Sequence, residues 1–326
     1  MLLLQAPPPI NVHADGTPLG EGINAMSWSN AEFAGLVPES LERTEDGYWR
    51  IRTPPSPAEL SEYYARRYYQ EARGSYEHSY GADELRHIRG KIALRWSLAT
   101  DGQAGSGHLL DVGCGEGFVL AHGAEAGWSV RGIDFSDAGL RGQNPQLLHS
   151  LVTGDLFACL DREIAQGTGY DVVWLQNVLE HVIDPVALLR QLRALTRPGG
   201  RLVLTVPNDF SRLQHIALTS GRIDRSFWIA PPDHLSYFSA DSLRRVTART
   251  GWTCRNLLAD FPVDWFLFNA QANYIADPTK GKPAHHARIA LENMILDEDR
   301  TKVVTFFESL AALGMGRDLT VILEPS

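Results

Sequence analysis

The stretch Leu109 to Leu120, LLDVGCGEGFVL, constrains this chain more than any other. A short apolar run meets an acid, Asp111. Glycines then follow at alternate positions, Gly113, Gly115 and Gly117, with Cys114 between the first two. An apolar segment of helical character opens at Phe118. The order predicts a buried strand, a tight glycine turn and a helix behind it. Glycine is required there because the turn demands unusual backbone dihedrals and because a ligand can lie against bare main chain. Cys114 fits such a crowded turn as a small side chain.

Dinucleotide-binding folds place the third glycine one residue later, in G-x-G-x-x-G, and grip a pyrophosphate on the helix N-terminus. The spacing here is G-x-G-x-G with an acid two residues ahead, which suits a cation-bearing ligand better than a polyanion. On the turn alone, a nucleotide-binding or purely structural reading stands beside that one.

The segments downstream continue the alternation of strand and helix. Trp128 to Ile133 predicts a second strand ending in Asp134. That acid lies about 20 residues past the glycines, where a carboxylate can accept from both hydroxyls of a ribose. Asp137 starts a further helix. Leu151 to Phe157 reads as a third strand and its exit, where Asp155 can serve as the N-cap of the next helix. Residues 170–208 read YDVVWLQNVLEHVIDPVALLRQLRALTRPGGRLVLTVPN. They predict a buried strand at Asp171 to Leu175 and a leucine-faced helix opening at Asp184-Pro185. Pro198-Gly199-Gly200 stops that helix, and a fifth strand follows over Arg201 to Val206.

Acid, one residue, then alternate glycines resembles motif I of the class I S-adenosylmethionine-dependent methyltransferases. The N-x-L-E-H, D-P, leucine helix, P-G-G series resembles the ubiquinone-pathway O-methyltransferases and the deoxysugar methyltransferases most. The lead-in from Asp46 to Tyr69 is similar to that of bacterial methyltransferases of surface-polysaccharide and sugar pathways, without the cysteine pairs such relatives often carry. P-x-H-x-x-Y-F-S at residues 232–239 is typical of the same subset. The resemblance implies an α/β fold: a Rossmann-like, seven-stranded mixed sheet with helices on both faces, an N-terminal arm and helical lid insertions. Trp252 to Ala259 is expected as strand six. Asp318 to Leu323 is expected as strand seven, antiparallel beside strand five. The division it implies is an N-terminal arm and covering helices over 1–100, a cofactor core over 101–262, and a helical insertion with the last strand over 263–326.

It also implies the cofactor, S-adenosyl-L-methionine with adenosylhomocysteine as product, and the residues that hold it: Asp111, Gly113, Cys114, Gly115, Gly117, Asp134, Phe135, Asp155, Leu156 and Asn177. The expected chemistry is in-line displacement onto an acceptor. Positioning and exclusion of water supply most of the rate. A hydroxyl acceptor needs a base, and histidine is the natural choice near neutral pH. His181 and His234 are the candidates. The acceptor is read as a small molecule or glycan, most of all a sugar; a natural-product phenol, amine or carbon is the alternative, favoured by the aromatic group Trp265, Phe266, Phe268 and Tyr274. A non-catalytic adenosylmethionine-binding module is a further alternative, disfavoured by intact motifs. Ubiquinone-type relatives read E-x-x-E-H and can hold a divalent metal there. Asn177 replaces the first acid here, so no metal is expected.

Composition excludes several other classes. The 326 residues are 44% hydrophobic and 21% charged, with a net charge of −9 and no basic run, which argues against a nucleic-acid partner. No apolar stretch reaches the roughly 18 residues needed to span a bilayer, and MLLLQAPPPI lacks the positive n-region of a signal peptide. Three cysteines far apart, Cys114, Cys159 and Cys254, read as reduced thiols of a cytoplasmic protein. Before the glycine turn, Ser56-Pro57 predicts the start of a helix carrying Tyr63, Tyr64, Tyr68 and Tyr69. Ala82 to Ala99 predicts an amphipathic helix on which Arg86, His87 or Arg89 reaches the ligand, at least two of them staying solvated. The helices within 264–317 either roof the pocket or form a homodimer contact.

Overall fold

A computed structural model describes Phe33 and residues 35–56, 58–60, 62–63, 79–102 and 105–326. Most of the proline-rich start and most of the tyrosine-bearing helix, including Tyr64, Tyr68 and Tyr69, lie outside the described residues. Within them, Ser56 Oγ and Glu59 bond each other as a helix cap.

A short antiparallel sheet comes first. It joins β1 (Leu41–Arg43) and β2 (Trp49–Ile51), and it is completed much later in the chain by β8 (Ser236–Tyr237). Helix α1 (Ala82–Ala99) follows, with the predicted bounds. The main sheet then builds from β3 (His108–Val112), α2 (Phe118–Glu125), β4 (Ser129–Asp134), α3 (Ala138–Gln143), β5 (Leu151–Thr153), α4 (Leu156–Ala165) and β6 (Tyr170–Gln176). Helix α5 (Pro185–Leu195) leads into β7 (Thr196–Pro207), and α6 (Arg212–Thr219) and α7 (Ala240–Arg249) precede β9 (Trp252–Ala259). Two helices, α8 (Gly281–Leu296) and α9 (Arg300–Ala312), come before the closing strand β10 (Asp318–Pro325).

The seven strands run in the order β5-β4-β3-β6-β7-β10-β9. β3, β4, β5, β6 and β7 are parallel neighbours; β10 is antiparallel to both β7 and β9. The expected mixed sheet is therefore observed, with its last strand antiparallel beside the fifth. The chain reverses its direction of strand addition at β3, so a crevice opens outside the carboxyl ends of β3 and β6, where ligands settle in such folds. The central strands are buried on both faces: Val173, Trp174, Leu175, Leu202, Val203 and Leu204 are inaccessible to solvent. That accounts for their continuous apolar runs in the sequence.

One local expectation is corrected. The P-G-G segment does not lie between a helix and a strand. Helix α5 ends at Leu195, Thr196 already pairs with Tyr170, and Arg197 to Gly200 bulge within β7 before pairing resumes at Arg201, Gly199 taking a left-handed φ of 81°. The connection from Asp209 to Phe238 holds a helix of its own, α6. Ser211 Oγ accepts from the Gln214 N–H, and the Gln214 carboxamide accepts from the Ser211 N–H, a capping box. Among the described residues no helix is long and apolar enough to cross a membrane.

Candidate active site

The carboxyl ends of β3, β4, β5 and β6 open into one cavity of about 1120 Å³, roofed by α1 and α8. The glycine turn forms one wall. Gly113, Gly115 and Gly117 all have left-handed φ, at 72°, 49° and 75°. Space as well as conformation requires them. A β-carbon on Gly113 would stand 2.4 Å from Val178, and one on Gly117 would stand 2.0 Å from Leu140. The turn is braced from below by Asp134, whose carboxylate accepts from the Gly115 N–H at 2.8 Å and the Ser136 N–H at 3.1 Å.

All ten residues expected to hold the cofactor line this cavity: Asp111, Gly113, Cys114, Gly115, Gly117, Asp134, Phe135, Asp155, Leu156 and Asn177. Asp155 also caps α4, Oδ1 accepting from the Ala158 N–H at 2.9 Å, so its two sequence readings coexist. Asn177 adopts a left-handed φ of 54° at the end of β6, a conformation asparagine tolerates better than most residues. Cys114 is buried beside two carboxylates, and desolvation, then those charges, pushes its thiol up, which removes it as a nucleophile.

Two buried acids give the glycine end its electrostatic character. Asp111 is pushed up to about 8, by desolvation first and the Asp134 charge second. Burial raises Asp134 as well, against the backbone donors that favour its ionised form. A cation placed between these carboxylates relieves both effects. A pyrophosphate aggravates them. The donor set thus fits a ligand with a sulfonium and an ammonium group.

The two candidate bases separate. His181 lines the cavity; His234 is not among the lining residues and packs its ring against His181, with centroids 4.9 Å apart. His181 Nδ1 lies 2.7 Å from the Asp233 carbonyl oxygen. A carbonyl only accepts, so Nδ1 carries the hydrogen and Nε2 keeps its lone pair. Glu180 lies behind, fully buried, with Oε1 3.7 Å from His181 Nε2, and burial raises its pKa well above the ordinary carboxyl range.

Glu180, His181 and His234 each offer one ligand atom, all within 4.8 Å of one another. The set carries one carboxylate, itself disfavoured as an anion by burial, and Asn177 adds no charge. It does not fit the oxygen-rich shell of a hard divalent cation.

The wall of α1 shows what sequence reading missed. Arg86 and Arg89 are exposed, Arg86 pairing with Asp297. The helix instead turns His87, Lys91 and Arg95 inward, one turn apart, beside Ile88 and Ile92. Their phase was legible, since positions i, i+4 and i+8 flank the apolar stripe. His87 Nε2 meets Glu292 at 2.7 Å and Lys91 meets Asp260 at 2.6 Å. From α8, His285, Arg288 and Ile289 line the same space, so this part of the 264–317 insertion forms cavity wall. The aromatic group Trp265, Phe266, Phe268 and Tyr274 does not reach the cavity lining; Trp265 packs on Phe261 and Tyr274 donates to Asp264.

Comparison with known proteins identifies a family. The family model described as a methyltransferase domain matches residues 80–257. The ubiquinone biosynthesis O-methyltransferase of Bordetella bronchiseptica is 36% identical over 124 residues, 37% of this chain and 52% of that protein. Its Pseudomonas aeruginosa PAO1 counterpart is 33% identical over 124 residues, 37% of this chain and 53% of that protein. The chain spans about half the length of the curated relatives it matches. Among solved structures, an S-adenosylmethionine-dependent methyltransferase from Archaeoglobus fulgidus is similar at 17% identity and a TM-score of 0.46, covering 81% of this chain and 99% of that one.

Proposed function

Because this chain belongs to the methyltransferase-domain family, in its class I S-adenosylmethionine-dependent form, we propose that it methylates a hydroxyl oxygen of a sugar, nucleotide-linked or within a glycan, with His181 as general base. The observation that carries this reading is one cavity with the glycine turn and two raised acids at one end and the His181 ring on its wall. When bound, S-adenosylmethionine supplies an electrophilic methyl group that is displaced in line from its sulfonium. Gly113, Gly115 and Gly117 give its amino-acid end close access to main chain. Asp111 and Asp134 balance its positive charge, and Asp134 accepts from the ribose hydroxyls. Phe135 covers the adenosine beside it. Asp155 accepts from the adenine amino group while the Leu156 N–H faces a ring nitrogen. Asn177 closes the cofactor end at the tip of β6.

His181 Nε2 takes the hydroxyl proton as the new oxygen–carbon bond forms, and the Asp233 carbonyl holds the ring in the tautomer that makes this possible. His234 supports the ring from behind. Apolar side chains, Ile88, Ile92, Val182 and Ile183, line the acceptor side and exclude water. The alternative phenol, amine or carbon acceptor loses its motivating feature, since the Trp265–Tyr274 aromatics stand away from the cavity. The test is transfer of label from methyl-labelled cofactor to a panel of nucleotide sugars and oligosaccharides. Labelled sugar ethers are expected; label confined to phenols or amines rejects the sugar acceptor.

A further inference from the structure

Two stretches far apart in the chain, the lead-in that carries β2 and the P-x-H-x-x-Y-F-S run that carries β8, meet in the small sheet. Trp49 stands opposite Tyr237 there and Arg50 opposite Ser236. The sheet is backed by an apolar core of its own, separate from that of the main sheet, in which Leu41, Ile51, Phe210, Trp228, Leu235 and Tyr237 are buried together. Neither stretch supplies a cofactor residue. What they hold is the loop from Ala230 to Leu235, which carries the two groups that touch the His181 ring: the Asp233 carbonyl, 2.7 Å from Nδ1, and the His234 ring, edge-on to it.

That loop contains neither helix nor strand, and a loop keeps one geometry only where its main chain is tied down. The ties converge on the Asp233–His234 peptide. The Asp233 and His234 N–H groups both donate to the Ala230 carbonyl, at 2.9 and 3.0 Å. The Leu235 N–H donates to the Glu180 carbonyl at 2.8 Å, and the Leu235 carbonyl accepts from the Ile51 N–H of β2 at 3.0 Å. A trans peptide is planar, with its N–H and C=O pointing opposite ways. Once the His234 N–H is fixed on Ala230, the Asp233 carbonyl of the same peptide is aimed away from it, at His181. The Tyr237 hydroxyl closes the loop at both ends. It accepts from the Ala230 N–H at 3.3 Å and donates to the His234 carbonyl at 2.9 Å. Its ring is inaccessible to solvent and meets Phe210 edge-on, with centroids 6.0 Å apart. Burial raises the phenol, so the proton it donates stays in place.

We propose that Tyr237 is a positioning residue for the transfer: through the Ala230–Leu235 loop, its hydroxyl holds the Asp233 carbonyl on His181 Nδ1 and so keeps the ring in the Nδ1–H tautomer, the form whose Nε2 can take a proton. The small sheet is then the device that sets the state of the base, which gives β1, β2 and β8 a part in the chemistry without contact with either substrate. Loss of the hydroxyl leaves a main-chain donor and a main-chain acceptor unpaired. The loop re-forms around other partners, and the ring loses the contact that selects between its two neutral forms. The proposal rests on the reading of His181 as general base.

The experiment is long-range proton–nitrogen correlation NMR on the full chain carrying isotope-labelled histidine, saturated with adenosylhomocysteine, at a pH well above the ordinary imidazole pKa. The His181 signals are identified by their loss in His181→Ala. Wild type is expected to show His181 in the Nδ1–H form. Tyr237→Phe is expected to show the Nε2–H form as well, the ratio of the two falling about fivefold or more, the bias one hydrogen bond supplies. Leu41→Ala, which loosens the small core and leaves the hydroxyl in place, is expected to shift the ratio in the same direction, and it carries the test if Tyr237→Phe does not fold. Val303→Ala, in the core of the main sheet, is expected to lower the unfolding temperature and leave the tautomer as in wild type. Unchanged adenosylhomocysteine affinity checks the fold of each variant. A wild-type His181 in the Nε2–H form, a folded Tyr237→Phe with the wild-type ratio, or an equal shift in Val303→Ala overturns the proposal. The base reading fails by a different observation, near wild-type turnover in His181→Ala, so the two failures are told apart.

Discussion

Replacing Asp111 by Asn changes how stability depends on pH, by an amount the structure sets. Asp111 is 3% exposed and its carboxyl is pushed up to about 8, by desolvation and then by Asp134, from an ordinary 3.8. An acid raised in this way keeps its proton in the folded chain where the unfolded chain has already lost it. Its contribution to stability is fully present below about pH 4 and is lost as pH rises through about 8. The maximal slope is about 1.4 kcal/mol per pH unit, so wild type loses about 2 kcal/mol between about pH 6 and pH 8 through this group. An amide has no such loss. Asp134, also raised, is present in both proteins and largely cancels. Urea unfolding of the ligand-free protein at the two pH values measures the difference directly. Asp111→Asn is expected to gain about 2 kcal/mol on wild type over that interval, whatever its offset at the lower pH. Parallel pH dependences would refute the assignment of a buried, proton-holding acid at this position. The same logic predicts that a cationic ligand binds wild type more tightly as pH rises through about 8, and that the variant lacks this trend.

Three further outcomes follow from the site. His181→Ala is expected to lose about 100- to 10,000-fold in turnover with cofactor binding intact, and His234→Ala less, since only His181 faces the cavity; steady-state rates with labelled cofactor check this, and near wild-type turnover in His181→Ala ends the general-base role. Asp134→Ala removes the acceptor for the ribose and the brace of the Gly115 N–H, so adenosylhomocysteine affinity is expected to fall by about 3 kcal/mol or more in calorimetry. Incubation with a chelator followed by dialysis is expected to leave turnover unchanged, because the Glu180, His181 and His234 set carries a single carboxylate; loss of activity restored by added magnesium would contradict that.

The sheet was legible because its strands are short apolar runs punctuated by glycine, proline and aspartate, and β9 and α1 fall at their predicted limits. Motif I and Asp134 were legible because a tight turn admits few residue types. Pairing across the sheet was not: nothing local distinguishes a P-G-G that stops a helix from one that bulges inside a strand, as Gly199 and Gly200 do in β7. Helix α6 is hard to see in the sequence although Ser211 and Gln214 carry its cap signal, because it spans only 8 residues. The inward face of α1 needed tertiary structure. His87 and Lys91 meet Glu292 and Asp260, which lie far along the chain, only through packing of α1 against α8 and the end of β9. His181 and His234 look equivalent along the chain, and the direction each ring faces decides between them.

The most direct measurement is titration calorimetry of the purified chain with S-adenosylhomocysteine and, separately, with an oxidised nicotinamide dinucleotide. Saturable, one-to-one binding of adenosylhomocysteine that Asp134→Ala abolishes, with no heat from the dinucleotide, is predicted. Binding of the dinucleotide with none of adenosylhomocysteine would contradict the assignment of the glycine turn, and with it every role given to the residues around the cavity.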